Sequence, residues 1–319
     1  MQRGRNSRRR RRRLRIFGRR VDIRRLVPFA FFLVLFVVSA AMLVDYGVHS
    51  LKRKSENNRL AENYEEAFSV GETMIPMSAE PEAVQTAAPT AEPVATPAPT
   101  AEPTLAPAYH TLSGTVPQKA QGLYRQNNDL VGWLYIKGVA SLPVVQRDNE
   151  FYLNHGFDGK PSDGGTLFLD EYHPMAEDTQ NFLIHGHNMY DSSMFGIVST
   201  YNKLSMVKNS GFARFSTMYA PEDYVICAVL RVSPDPSSER YLPYVGRAKF
   251  ADEAQFLSFV NELQARSMFN IPVDVQPYDA LLSLSTCIDD DRLLVVFRRV
   301  REGETKDALQ ALLNRTVKE

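Results

Sequence analysis

Three side chains, far apart in the sequence, have the chemistry of a covalent acyl transfer: His187, Cys287 and Arg292. A free thiol with a pKa of about 8.5 is only a few per cent thiolate at neutral pH, yet that fraction is a strong nucleophile. An imidazole can take up and return the proton. A guanidinium, charged at any physiological pH, offers fixed donors to an oxyanion forming on an attacked carbonyl. Cys287 ends the apolar run Ser283-Leu-Ser-Thr-Cys287 and Arg292 opens the next, Arg292-Leu-Leu-Val-Val296. Asp289, Asp290 and Asp291 between them predict a short solvated loop that brings strand end and strand start together. His187 follows the apolar segment Asn181 to His185 through a glycine.

Other readings of these residues weigh against that one. A lone cysteine is also a common small core residue. Cys227, inside Tyr224-Val-Ile-Cys-Ala-Val-Leu230, is predicted to be of that kind: buried and inert. His185 and His187 share a face of an extended strand and can chelate zinc, but Asp191 is the nearest acid, and His155 and His173 lie in separate turns. No metal and no cofactor are expected. Ser205-Met-Val-Lys208 matches an S-x-x-K pattern without its S-D-N and K-T-G partners. Glycine-rich nucleotide loops and a basic-aromatic face are absent, which argues against nucleotide and nucleic-acid binding.

The elements that must position the three residues read as strands. Short apolar runs at 131–136, 142–146, 165–169, 181–185, 224–232, 280–285 and 293–300 alternate with turn signals such as Lys137-Gly138 and Asp163-Gly164-Gly165. Many short strands with irregular loops predict a closed barrel or sandwich. Helices are predicted at 118–129, at 251–268 with Phe256, Leu257, Val260 and Leu263 on one face, and at 305–317 with Leu309, Leu312 and Leu313.

Upstream the chain changes character. Residues 1–25 hold thirteen arginines and one acid, a charge of +12 in a sequence whose 37 basic and 37 acidic residues balance, so the remainder carries −12. Leu26 to Val44 is uncharged, and as a helix its nineteen residues cover about 28 Å, close to a hydrocarbon core. A transmembrane helix is expected at 26–46, with an arginine-rich cytoplasmic tail at 1–25 touching anionic lipid and everything after Tyr46 outside. A cleaved leader is the alternative; the apolar run is longer than a usual leader's. Residues 47–110 read as a juxtamembrane helix and a spacer with eight prolines from Pro76 to Pro107, suited to polyproline II. A folded extracellular domain is expected at 111–319. Two cysteines exclude a disulfide-stapled scaffold.

Taken together, the histidine segment His185-Gly-His187-Asn-Met-Tyr-Asp-Ser-Ser-Met-Phe195, the later Leu284-Ser-Thr-Cys287 and Arg292 at a strand start resemble the sortases, cysteine transpeptidases of Gram-positive cell surfaces. The more extended likeness is to class B. Asp129-Leu-Val-Gly-Trp-Leu-Tyr-Ile136, Leu142-Pro-Val-Val-Gln146, Tyr152-Leu-Asn-His155 and Gly165-Thr-Leu-Phe-Leu-Asp170 are similar to its opening strands, and the helix at 251–268 to its inserted long helix.

The resemblance implies a mainly β fold: a closed barrel of about eight strands, an N-terminal helix, and a long helix before the last strands. It implies His187, Cys287 and Arg292 as catalytic, with Arg298 and Arg299 as competitors for the arginine role, and Asn188, Ser285 and Thr286 near the substrate. The implied substrate is a sorting-signal peptide of LPXTG or NPQTN type, and the acceptor a peptidoglycan cross-bridge or pilin amine. His185 stands where an aromatic or apolar residue is expected. A membrane-tethered cell-wall binding module, for which a Cys227–Cys287 disulfide would be compatible, and a hydrolytic cysteine peptidase are the rival readings.

Overall fold

The computed structural model describes residues 13–16, 19–68, 121–176, 178–217 and 221–318. The expected proline spacer and the expected domain start at 111 lie outside them. The chain divides after Ser55 into two compact units. In the first, the strands Arg13–Ile16 and Arg19–Asp22 pair, and helix α1 (Ile23–Phe68) begins. Its large apolar side chains from Val27 to Val44, Phe29, Phe32 and Phe36 among them, are exposed. This stretch is long and apolar enough to cross a membrane.

The last turns of α1 belong to the second unit. Leu60 is buried with Leu123, Leu130, Trp133 and Phe168, and the Tyr64 ring stacks on Trp133 at 4.4 Å. Helix α2 (Gln121–Gln126) buries Leu123 in the same cluster. It ends before the predicted Asp129, because the chain turns at Asn127, whose Oδ1 accepts from the Asp129 amide, into the first strand; the predicted start at 118 lies outside the described residues.

Eight strands form a closed barrel: β1 (Leu130–Ile136), β2 (Ala140–Val145), β3 (Leu167–Leu169), β4 (Asn181–His185), β5 (Phe212–Thr217), β6 (Pro221–Val232), β7 (Leu281–Ile288) and β8 (Asp291–Arg299). Around the barrel the order is β7-β8-β6-β5-β1-β2-β3-β4, with β4 returning to β7. Pairing is antiparallel except at β2/β3 and β4/β7. Closure leaves no strand edge unpaired. The expected barrel is present, with one strand more than the apolar runs suggested. β5 (Phe-Ala-Arg-Phe-Ser-Thr) lacks a β-branched apolar run and is held by its place between β1 and β6.

Both faces are covered along the middle of β6, β7 and β8, where consecutive residues are buried. Helix α3 (Leu204–Asn209) carries the S-x-x-K pattern, and Lys208 Nζ donates to the Asn314 carbonyl. Helix α4 (Glu253–Ala265), capped by Asp252 accepting from the Gln255 amide, buries Phe256, Phe259, Val260 and Leu263. Phe259 takes the buried place expected for Leu257, as i, i+3, i+4, i+7 spacing requires. Helix α5 (Lys306–Asn314) is capped by Thr305 and buries Leu309 and Leu313. The chain then pairs Val317–Lys318 with Phe269–Asn270.

Candidate active site

The register of β7 on β8 sets the geometry. Cys287 is directly opposite Arg292, with Ile288 opposite Asp291 and Thr286 opposite Leu293. Opposed residues of an antiparallel pair share a face, with Cβ atoms about 5 Å apart. Both side chains are partly exposed.

The connection between them corrects the predicted solvated loop. Only Asp289 and Asp290 form the turn, with Asp289 in the left-handed region at φ 50°. Asp291 is the first residue of β8 and is buried. Its carboxylate is held by Arg231 Nε at 2.7 Å and Arg240 Nη2 at 3.1 Å, and Arg231 also pairs with Asp289 at 2.9 Å. The Arg231 hydrogen bond is the main force keeping the Asp291 carboxyl below its usual range.

These pairings single out Arg292. Arg231 pairs with Asp289 and Asp291, Arg240 with Asp291, and Arg299 with Glu222. Arg298, the strongest competitor, is fully buried at the far end of the hairpin, opposite Leu281, with both Nη atoms on Glu304 at 2.5 and 2.6 Å. Arg292 makes no ion pair among the described residues; its one hydrogen bond is a long 3.4 Å contact to the Asp291 carbonyl.

His187 arrives from β4, which runs parallel to β7. Beyond His185 the seam continues through three bonds. The Gly186 amide donates to the Ser285 carbonyl at 3.2 Å, the Thr286 hydroxyl to the Gly186 carbonyl at 2.8 Å, and the Asn188 amide Nδ2 to the Cys287 carbonyl at 2.8 Å. The residues flanking His187 are thus bonded to the Cys287 strand. Gly186 is required here, since a Cβ would collide with Leu167 and Phe195. The imidazole Nε2 lies 2.8 Å from the Leu153 carbonyl. A carbonyl can only accept, so Nε2 carries the proton and Nδ1 of the neutral ring keeps its lone pair.

Ser285 and Thr286 are buried, and Asn188 is exposed. The Ser285 hydroxyl is 3.0 Å from the hydroxyl of Tyr244, a residue without a local sequence signal, lying 43 positions before Cys287 in the β6–α4 connection. Burial raises the Tyr244 pKa. His185 meets Asp170, Nε2 to Oδ2 at 2.9 Å. Burial alone would raise the Asp170 carboxyl, but the His185 hydrogen bond and the nearby His185 and His173 rings outweigh it and hold it low. Among the described residues no group of three or more His, Cys, Asp and Glu side chains is arranged to hold a metal.

Both cysteines are free. Cys227 donates to the Val296 carbonyl at 3.4 Å, and burial pushes its thiol up to about 12.

No protein-family model matches the chain. It is 29% identical over 181 residues to sortase B of Listeria monocytogenes, covering 55% of this chain and 70% of that protein. Sortase B of Staphylococcus aureus is 26% identical over 171 residues, covering 53% and 67%. A structure of a Staphylococcus aureus sortase B–substrate complex superimposes with a TM-score of 0.53 at 24% identity, over 58% of this chain and 86% of that one. Two sequence relatives named sortase B support reading the chain as a sortase cysteine transpeptidase, and the fold it shares with a sortase B structure agrees with that. The sortases it is similar to, in sequence and in fold, are of class B.

Proposed function

We propose that Cys287, His187 and Arg292 carry the transpeptidation, on a sorting-signal peptide of LPXTG or NPQTN type. The observation that carries this reading is the opposition of a partly exposed free thiol to an arginine without an ion pair, on a strand to which the His187 segment is bonded. The thiol proton passes to Nδ1 of His187. The Cys287 thiolate adds to the carbonyl of the signal's threonine, and Arg292 donates to the resulting oxyanion. Collapse breaks the peptide bond while imidazolium His187 protonates the leaving amine. The threonyl thioester is then attacked by a second amine, from a peptidoglycan cross-bridge or a pilin, whose proton passes to the neutral His187 as the C–S bond breaks and releases the Cys287 thiolate. Asn188 lines the approach to the thioester, while Ser285 and Thr286, expected near the substrate, are buried and hold the strand behind Cys287.

The apolar start of α1 serves as a membrane anchor, with the arginines cytoplasmic and the barrel on the outer face. The charge asymmetry across the span supports that orientation. The test is mass spectrometry of the protein quenched during turnover of an LPXTG or NPQTN peptide with triglycine as acceptor. A peptide adduct on Cys287 and a triglycine-joined product are expected. Activity of Cys287→Ala, or hydrolysis unaffected by triglycine, would overturn the reading.

A further inference from the structure

We propose that Asp170 and His185 are a positioning pair that holds the His187 segment against the Cys287 strand, an inference that rests on the reading of His187 and Cys287 as the reacting pair. His185 is the last residue of β4, with Phe168 as its partner on β3 and Ser285 on β7. It is therefore the last side chain gripped by the barrel before His187. The next residue offers no side-chain grip: Gly186 is held through its backbone alone, by its bonds to Ser285 and Thr286, and the space beside it is filled by Leu167 and Phe195.

The far end of the bond is rigid. Asp170 is 1% exposed, and its carboxylate also accepts from the Tyr172 amide at 3.0 Å and from Asn149 Nδ2 at 3.1 Å. Its backbone amide donates to the Leu183 carbonyl at 2.8 Å, and its carbonyl accepts from Gln146 Nε2 at 3.1 Å. A carboxylate tied at this many points is a fixed acceptor. His185 Nε2–H, 2.9 Å away, fixes the orientation of the ring and with it the exit of β4. The other titratable groups facing the pair are His173, with Nε2 4.0 Å from Asp170 Oδ1, and Tyr244, from the β6–α4 connection, bonded to Ser285. An aromatic residue at 185 would fill the same space against Phe168 without the bond.

The test compares His185→Phe, His185→Gln and His185→Asn in the full chain, by steady-state cleavage of a sorting-signal peptide and by thermal unfolding. Glutamine places its amide nitrogen close to the position of Nε2, whereas asparagine is too short to reach Asp170. In the phenylalanine and asparagine variants kcat should fall about 10- to 100-fold with KM within about twofold, and glutamine should restore kcat to within about threefold of wild type. Wild-type kcat in both the phenylalanine and asparagine variants, equal losses in all three, or a loss confined to KM would overturn the inference. His187→Ala separates the two readings: if it is active, the assignment of the reacting pair fails. If it is inactive while His185→Phe runs at full rate, only the positioning role fails.

Discussion

Cys287 and Arg292 face each other across a two-residue turn, each the register partner of the other on adjacent antiparallel strands. No loop intervenes whose mobility could separate them. Their spacing is a property of the hairpin, and the hairpin is clamped at its tip by Asp291 between Arg231 and Arg240.

Arginine substitutions should therefore divide cleanly. Arg292→Ala is expected to lower kcat/KM by about a thousandfold or more with little change in unfolding, as removal of an oxyanion donor does. Arg298→Ala should instead lower stability by about 3 kcal/mol, the low end for a broken buried pair because Glu304 keeps some access to water. Peptide kinetics and urea unfolding on the two variants check this; a severe kinetic loss in Arg298→Ala with native stability would reverse the assignment.

The two thiols should differ in reactivity. Cys287 is partly exposed, whereas Cys227 lies in the core with its thiol pushed up to about 12. A small alkylating reagent on the intact protein should label one thiol quickly and the second only after denaturation. Rapid labelling of Cys287→Ala would show that Cys227 is not sealed in.

Acid should destabilise the protein in two stages. His173 is buried and its pKa is lowered by that burial, so its contribution is complete above the unfolded value of about 6.5 and is lost as pH falls from there towards its folded value. Asp291 and Glu304 are depressed chiefly by hydrogen bonds from Arg231 and Arg298. Their contribution is present above about 4 and is lost as pH falls through their folded values. Urea midpoints measured from neutral to acid pH should show both declines. His173→Asn, which keeps a donor for the Asn181 carbonyl, should remove the first decline alone.

Trp133 is the single tryptophan and reports on the end of α1. Tyr64→Ala should uncover its ring and shift its emission to longer wavelength. Leu60→Ala, in the same cluster, should cost about 2 to 4 kcal/mol. An unchanged emission spectrum in Tyr64→Ala would mean that the helix end does not pack on β1 in solution.

Much of the fold was legible in the residues. Seven of the eight barrel strands announce themselves as apolar runs, and α4 and α5 by helical spacing. The missed strand, β5, has a mixed composition whose strand character comes from its two neighbours. The three acids Asp289, Asp290 and Asp291 look alike in sequence, and only pairing separates the exposed Asp289 and Asp290 from the buried Asp291. His185 was visible as an oddity. Its partner Asp170 lies fifteen residues away, and no spacing rule joins them.

By itself the sequence determined the apolar span, the charge sorting around it and the chemical identities of a thiol, an imidazole and a guanidinium, because hydropathy and functional groups are properties of residues. Which arginine faces the thiol, which nitrogen of His187 keeps its lone pair, and the presence of Tyr244 and Asp170 beside the site were decided by the closed barrel. Register and closure are relations between segments up to a hundred residues apart, as in the bond from Asn188 to Cys287, and chain folding is what brings them to hydrogen-bonding distance.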